Sequence, residues 1–328
     1  MTGIFKERTS GAVFLLILTS IGLHVNFIYD PPGIITNAGQ GLLTNFLSSL
    51  PQVPSVGLML VYQLFIITQA LRLNYIVNDN RMLQKQGFSV SLAYILVTAI
   101  LPEWNNITPA LLINTLLIEL LAMCAKLYQN KSVKSLVFGI GLMSGIITLL
   151  HFASFSVILI AFCALAILRA FKANEWFVLL LGIITPVYIT AALLYITDKW
   201  HNLATLHLFD IHSFNNLDHF YGVITALSLL IILLMAGLIY WNNNSGRMLI
   251  HARKVWSVIL LSLVILIPLP FVTTGSTLEG FLPLMIPVAA IGSNFFSYAR
   301  TSWLPNLFFW LFVAAVIFIN AYWIIVKA

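Results

Sequence analysis

The chain is a succession of long apolar runs separated by short polar segments. A helix needs about 20 apolar residues to cross the hydrocarbon of a bilayer, and most of these runs approach that length. Charged residues make up 8% of the sequence, against about a quarter in soluble domains. Since no polar segment is long enough to fold by itself, the sequence predicts an all-α, polytopic integral-membrane helical bundle that forms a single domain over residues 1–328.

The lengths and boundaries of the apolar runs predict about eleven transmembrane helices. The predicted spans are Gly11–Tyr29, Ser55–Ile76, Phe88–Leu101, Pro109–Leu127, Leu136–Leu150, Phe155–Ala170, Glu175–Ile196, Gly222–Trp241, Val255–Val272, Phe281–Tyr298 and Leu304–Ile325. The third, fifth and sixth are short, so they either cross fully or are re-entrant and tucked against other helices. Ile35–Leu50 has apolar residues at helical spacing and is expected to lie in the membrane interface.

The distribution of Lys and Arg predicts the orientation of the chain. Lys6 and Arg8 flank the first apolar run, which places the N-terminus in the cytoplasm. With eleven spans, fourteen of the sixteen basic residues then lie on the inner side, and Lys199 and Lys327 lie outside. This positive-inside pattern accounts for the net charge of +6, so the basic character predicts no nucleic-acid partner.

The longest polar interruption is Thr197–Tyr221, which carries three aspartates and four histidines and is predicted to face outward. Imidazole and carboxylate are metal ligands, so a metal site is one interpretation of this loop. The intervals between these residues are irregular, however, whereas metal sites on helices have fixed spacings. The spacing therefore favours a surface loop and no metal site.

Asn114 and Glu119 are polar residues inside the apolar run of the fourth predicted span. An ionisable group at this depth costs several kcal/mol, so Glu119 is expected to face the bundle interior and to have a partner. It is a candidate for a proton relay or a substrate contact, and the alternative is a hydrogen-bonded structural role. Outside the spans, Asp30 and Glu103 lie in the first two outer loops, and His151 lies between the fifth and sixth spans.

Three segments resemble a family of polytopic bacterial inner-membrane proteins that is defined by a domain of unknown function. They are ALRLNYIVNDNRML, ILPEWNNITPALLINTLLIELLAMCAKLY and AILRAFKANEWFVLLLGIITPVYITAALLYITDKW, at residues 70–83, 100–128 and 166–200. The resemblance covers most of the chain. It implies a multi-pass protein of the bacterial inner membrane and brings no activity with it.

The layout is also similar to that of the GT-C superfamily of membrane glycosyltransferases, which carry an acidic catalytic residue in the first outer loop. Asp30 stands at that position, and Glu103 is placed like the second acidic residue of those enzymes. The likeness implies a role in cell-envelope biogenesis, with glycosyl transfer from a lipid-linked substrate such as a polyprenyl-linked glycan. Asp30 would then act as a base or metal ligand, and Glu103 would assist.

Substrate binding in that interpretation falls to Lys199, His219 and His151, with the loop Thr197–Tyr221 as a lid over the two acidic residues. This sequence departs from the pattern because Lys199 and Lys327 are its only outer cations, while a phosphate in low dielectric needs positive charge. A divalent metal would have to supply the missing charge.

Two other classes of function fit the sequence. A transporter would use Glu119 and the proline breaks at Pro186, Pro268 and Pro270 to line a path at mid-membrane depth. A scaffold or accessory subunit of an envelope machine would bind protein partners and expose an apolar lateral groove or patch. The enzyme interpretation predicts instead a cavity open to the outer side and floored by Asp30 and Glu103.

Overall fold

The computed structural model describes residues 2–36, 41–42, 47, 54–129, 133–198, 220–272, 278–299 and 303–327. Over these ranges the chain is helical, with one isolated parallel bridge between Ile34 and Ile107. The predicted all-α class is therefore confirmed for the described chain. Lys199, His219 and nearly all of Thr197–Tyr221 lie outside these ranges, as does most of Ile35–Leu50.

Twelve α-helices are described, and each predicted span overlaps one of them. They are α1 (Ser10–Leu23), α2 (Ser55–Asp79), α3 (Ser89–Thr98), α4 (Pro109–Ala125), α5 (Val133–Leu150), α6 (Ser156–Leu168), α7 (Ala173–Ile196), α8 (Phe220–Ser245), α9 (Ile250–Leu266), α10 (Leu269–Val272), α11 (Met285–Tyr298) and α12 (Trp303–Lys327). Short 3-10 turns add Thr2–Lys6, Val25–Ile28, Pro102–Asn105, Lys126–Gln129, Phe152–Phe155 and Leu278–Phe281.

Seven of the described helices are long and apolar enough to cross a membrane. They are Ser55–Asp79, Pro109–Tyr128, Val133–Leu150, Ala173–Ile196, Tyr221–Ser245, Ile250–Phe271 and Trp303–Trp323. The multi-pass architecture is thus supported, while the count of eleven crossings stays a prediction. Helix α3 has ten residues, all of them buried, and rises about 15 Å, half of the hydrocarbon thickness.

Local sequence signals set the starts of the helices. The Thr9 hydroxyl accepts a hydrogen bond from Ala12 N at 3.3 Å and caps α1, and the Thr108 hydroxyl accepts one from Leu111 N at 3.2 Å and caps α4. Pro109 occupies the first position of α4, where its missing N–H leaves no helical bond unmade.

The loops at one end of the bundle are joined to one another, and we call this the acidic end because it carries Asp30, Glu103 and Glu279. The indole of Trp104 donates to the carbonyl of Leu278 at 2.8 Å. Backbone hydrogen bonds of 2.9 and 3.2 Å join residues 33–35 to Ile107. Three loops that are distant in sequence therefore form one layer.

The opposite end collects the turn Thr2–Lys6, residues 80–88, the start of α9 and the end of α11, and we call it the basic end. Phe88 N donates to the Phe5 carbonyl at 2.6 Å, and the ammonium of Lys6 donates to the Ala299 carbonyl at 3.2 Å. The loops that the sequence predicts to be cytoplasmic thus meet at one end. The side of the membrane that this end faces stays a prediction.

Helices α5 and α7 pack with their backbones in contact through Gly141, Gly145 and Gly182. The Gly141 and Gly182 Cα atoms face each other so closely that a Cβ built on either residue lies 3.0 Å from the Cα of the other. A Cβ at Gly145 would meet both the Ile183 carbonyl and the Pro186 ring at 2.7 Å. Gly141 and Gly145 stand four residues apart, the small-xxx-small spacing that is typical of close helix contacts in membranes.

Candidate functional site

Asp30 lies at the acidic end, just after the turn Val25–Ile28, and is partly exposed. Its N–H donates to the Asn26 carbonyl at 2.9 Å, which fixes the chain as it leaves that turn. Three residues later, Gly33 N donates to the side-chain oxygen of Asn106 at 2.9 Å. The loop that carries Asp30 is therefore bound directly to the loop that carries Glu103.

Glu103 is half-buried, and one of its carboxylate oxygens accepts a hydrogen bond from Leu278 N at 3.0 Å. This bond holds the turn Leu278–Phe281 against the second outer loop. The structure thus shows a structural contact for Glu103, and its assisting role in catalysis stays a prediction.

A buried polar cluster lies beneath the acidic end, around His24. The His24 ring contacts the rings of Phe27 and Tyr62 with centroids 5.2 Å away, and its Nδ1 lies 2.7 Å from the Ser20 carbonyl oxygen. The Tyr62 hydroxyl donates to the Asn105 side chain at 3.3 Å. His24 is 2% exposed, so these contacts enclose the ring. Neither the spacing of His24 nor its sequence neighbours form a motif that predicts this cluster.

An apolar groove of about 390 Å³ runs between α1 and α12 and ends at the acidic end. Its lining includes Leu18, Gly22, Val313 and Ile317 along its length and Asn26, Tyr29 and Asn320 at its polar end. The side chains of Leu18 and Ile317 are more than half exposed, so the groove opens to the surroundings of the bundle. Asn26 donates to the Asn320 side chain at 3.4 Å. Since Tyr29 immediately precedes Asp30, the polar end of the groove adjoins that carboxylate.

His151, predicted to bind substrate, is buried between α5 and the turn Phe152–Phe155. Its Nδ1 lies 2.9 Å from the Ser154 hydroxyl, and burial lowers the pKa of His151 to about 4. These contacts stabilise the junction between α5 and α6. The substrate-binding role stays a prediction.

The depressed pKa of His151 predicts an acid-sensitive fold. Burial lowers the pKa of His151 to about 4 in the folded chain, against an ordinary value of 6.5. Between these two pH values the unfolded state binds more protons than the folded state, so the free energy of unfolding rises with pH there. The stability that this ring contributes is complete above pH 6.5 and is lost as the pH falls towards 4. Between pH 7 and pH 4.5 the free energy of unfolding is expected to fall by about 2 kcal/mol through His151.

The measurement is chemical denaturation in detergent across that pH range, with His151→Asn as the matched variant that cannot titrate. The difference between the two pH profiles isolates the His151 ring from every other titrating group. Parallel profiles would show that His151 has no depressed pKa in the folded protein.

Glu119 has the partner that its depth predicts, and that partner is Arg72 of α2. The guanidinium donates two hydrogen bonds to the carboxylate, 2.5 Å from Nε and 2.8 Å from Nη2. The side chains of Arg72 and Glu119 are 36% and 35% exposed. The sequence placed Arg72 at the cytoplasmic end of its span, but α2 continues to Asp79, so this guanidinium lies about 10 Å inside the helix end.

Asn114 joins elements that lie far apart in the sequence. Its side-chain amide donates to the Leu282 carbonyl at 3.1 Å and to the Tyr94 hydroxyl at 3.4 Å. The Tyr94 hydroxyl in turn donates to Gln69 at 2.7 Å. This buried network connects α2, α3 and α4, which is a structural use of intramembrane polar groups.

The predicted site residues therefore fall into separate places. The loops of Asp30 and Glu103 meet at the acidic end, and Asn114 is buried within the bundle. Glu119 was expected to face the bundle interior, but its side chain is 35% exposed. Lys199 and His219 lie outside the described ranges. Within the part of the chain that the structure describes, no group of three or more His, Cys, Asp or Glu side chains is placed to hold a metal ion. The described residues therefore offer no such ligand set for the divalent metal that the GT-C likeness would need.

A family model described as a family of unknown function, DUF6427, matches residues 50–327. The chain belongs to this family. The match confirms the first resemblance and covers α2 to α12, whereas α1 and Asp30 precede the part that matches the DUF6427 model. A comparison with curated proteins gives no match. Together with the seven apolar helices, membership in DUF6427 supports a multi-pass membrane protein.

Proposed function

We propose that this is a multi-pass protein of the bacterial inner membrane that binds a lipid-linked substrate for cell-envelope biogenesis. The hydrocarbon chain of the substrate lies in the groove between α1 and α12, and its headgroup lies at the acidic end beside Asp30. The observation that carries this proposal is the groove itself, which is apolar along its length and polar where it reaches the residue before Asp30.

The lining of the groove favours a hydrocarbon chain, because it is apolar along its length and opens to the surroundings of the bundle. An exposed apolar groove is also the feature that an accessory subunit would present to a protein partner. The crosslinking test below distinguishes a lipid from a protein partner.

The acidic end supplies a base more readily than a phosphate site. In a GT-C-like transfer, the Asp30 carboxylate would take the proton of an acceptor hydroxyl while that oxygen bonds to the anomeric carbon of the lipid-linked sugar. The bond from that carbon to the lipid phosphate oxygen breaks, and the electron pair leaves on the phosphate. The contacts of Gly33 and Glu103 with neighbouring loops would hold the loop of Asp30 in place during this step.

Gly22 offers a direct test of lipid binding, because it lines the groove and a Cβ there meets open space. Gly22→Phe is expected to fill the groove and to reduce crosslinking by a photoreactive long-chain polyprenyl phosphate at least tenfold. Gly11→Phe is the matched control, since Gly11 lies on the same helix, also faces open space and does not line the groove. Equal crosslinking of the two variants would remove the proposed lipid site.

The same preparation separates binding from catalysis. If Asp30 is the base, Asp30→Asn lowers transfer to lipid-linked glycan at least a hundredfold and leaves the crosslinking unchanged. Unchanged glycan products in a matched host would remove the glycosyltransferase proposal, and lipid binding would then belong to an accessory subunit.

A further inference from the structure

A second cavity lies at the basic end, on the opposite side of the bundle from the groove. It has a volume of about 540 Å³ and forms where the end of α2, the end of α4 and the start of α9 converge. Its polar lining comprises Asp79, Asn80, Arg81, Lys126 and His251. We propose that this cleft is a phosphate-binding site, which takes either the phosphate of a lipid headgroup or a free phosphate compound.

The charges in the cleft favour an anion. Arg81 and Lys126 are exposed, and neither forms an ion pair with any residue that the structure describes. Asp79 is the one carboxylate of the lining, and Arg81 and Lys126 are two permanent cations, so the lining carries an excess of positive charge. Guanidinium and ammonium groups are the usual partners of phosphate oxygens, because they give charge-assisted hydrogen bonds.

The third basic group of the cleft, His251, is held in a fixed orientation. Its Nε2 lies 3.1 Å from the Ala125 carbonyl oxygen, so this nitrogen carries the proton and donates. The ring packs on Tyr128 with centroids 5.4 Å apart, and Lys254 lies 4.8 Å over the same aromatic ring.

Arg81 adopts a backbone conformation that is unfavourable for a residue with a side chain. Arg81 has φ +49, in the left-handed region that favours glycine. It stands directly after the end of α2, where Met82 N donates to the Val77 carbonyl at 3.0 Å, and glycine is the usual residue at such a position. A basic side chain here is best explained by a use for the guanidinium.

The positive-inside rule alone also places basic residues at this end, but it needs only their number and not their convergence on one cavity. The two explanations predict different effects of Arg81→Gly on stabilisation by phosphate. This variant relieves the backbone, so its melting temperature without phosphate should equal or exceed that of the wild type. If the cleft binds phosphate, the same variant loses the stabilisation that phosphate gives.

The test is a thermal-unfolding titration of the full chain in nanodiscs. In neutral phospholipid, inorganic phosphate is added against chloride at the same ionic strength, and a second arm replaces part of the lipid with phosphatidylglycerol. The melting temperature of the wild type is expected to rise in at least one arm. The phosphate concentration or phosphatidylglycerol fraction that gives half of this rise is expected to be at least tenfold higher in Arg81→Gly and in Lys126→Ala. Lys172→Ala removes the same charge from an exposed loop residue outside the cleft and should behave as the wild type.

The two arms identify the source of the phosphate. A rise in melting temperature with inorganic phosphate in neutral lipid indicates a soluble phosphate compound. A rise that occurs only with phosphatidylglycerol indicates a lipid headgroup. The proposal would be overturned if the melting temperature of the wild type rises in neither arm. It would also be overturned if Arg81→Gly and Lys172→Ala lose this rise equally. Because the groove lies at the other end of the bundle, this result is independent of the proposed lipid-chain site.

Discussion

Replacing Arg72 with alanine is expected to lower the free energy of unfolding by about 2 kcal/mol, because Glu119 then loses the partner of its charge, and both side chains are about two-thirds buried. The two hydrogen bonds of 2.5 and 2.8 Å form a bidentate pair, the strongest arrangement available to a carboxylate. The guanidinium also lies over the Tyr75 ring, 5.4 Å from its centroid. The pair joins two apolar helices of the bundle, α2 and α4.

The control for charge alone is Lys172→Ala, which removes one positive charge from an exposed loop residue and should change stability by less than about 0.5 kcal/mol. The control for the pair is the double variant Arg72→Met with Glu119→Leu. It removes both charges and keeps apolar volume, so it should recover at least half of the loss. Unfolding by SDS in mixed micelles measures all of these variants.

Two results would contradict this role for the pair. A loss in Arg72→Ala no larger than that in Lys172→Ala would show that the ion pair does not stabilise the bundle. Additive losses in the double variant would show that the two side chains act separately. A free proton relay through Glu119 is also disfavoured by this geometry, because the carboxylate already binds a permanent cation.

The sequence predicted that Glu119 has a partner but did not identify Arg72. A carboxylate inside an apolar run needs a partner for its charge in any fold, because the free-energy cost of an unpaired charge depends on its depth in the membrane. The identity of the partner depends on how far α2 continues and on which of its faces meets α4. Because α2 extends three residues past the predicted span, to Asp79, Arg72 lies two turns before the helix end, where it reaches Glu119 of α4.

The helices were predictable for a similar reason, whereas their surroundings were not. Apolar runs bounded by Pro, Asn and basic residues mark where helices begin and end in the membrane. They do not distinguish a helix in lipid from one enclosed by protein, because both surroundings are apolar. Helix α3, buried at all ten residues, therefore looks in sequence like the more exposed α7. The groove between α1 and α12 joins opposite ends of the chain, and no local pattern indicates such a contact.

The contact between α5 and α7 gives the second large prediction, because Gly141 sits where a side chain has no room. A Cβ at Gly141 would overlap the Leu179 carbonyl and lie 3.0 Å from the Gly182 Cα. Both neighbours are backbone atoms, which cannot move aside as the end of a side chain can. Gly141→Ala is therefore expected to lower the free energy of unfolding by about 2 kcal/mol, since the helices must separate.

Gly139→Ala is the matched control on the same helix. A Cβ at Gly139 meets the end of the flexible Met123 side chain at 3.4 Å. Alanine also favours a helix over glycine by up to about 1 kcal/mol, so this variant should equal or exceed the wild type in stability. The two substitutions make the same chemical change two residues apart and are predicted to act in opposite directions.

Unfolding by SDS in mixed micelles again provides the measurement. Equal stabilities of Gly141→Ala and Gly139→Ala would exclude a backbone contact at Gly141. In lipid, helices gain little from burying apolar surface against each other, because the acyl chains are equally apolar. Close approach through glycine must then supply the association of α5 with α7, and the buried Pro186 ring lies in this same contact. A single methyl group at Gly141 consequently acts on the whole interface and not on one side chain.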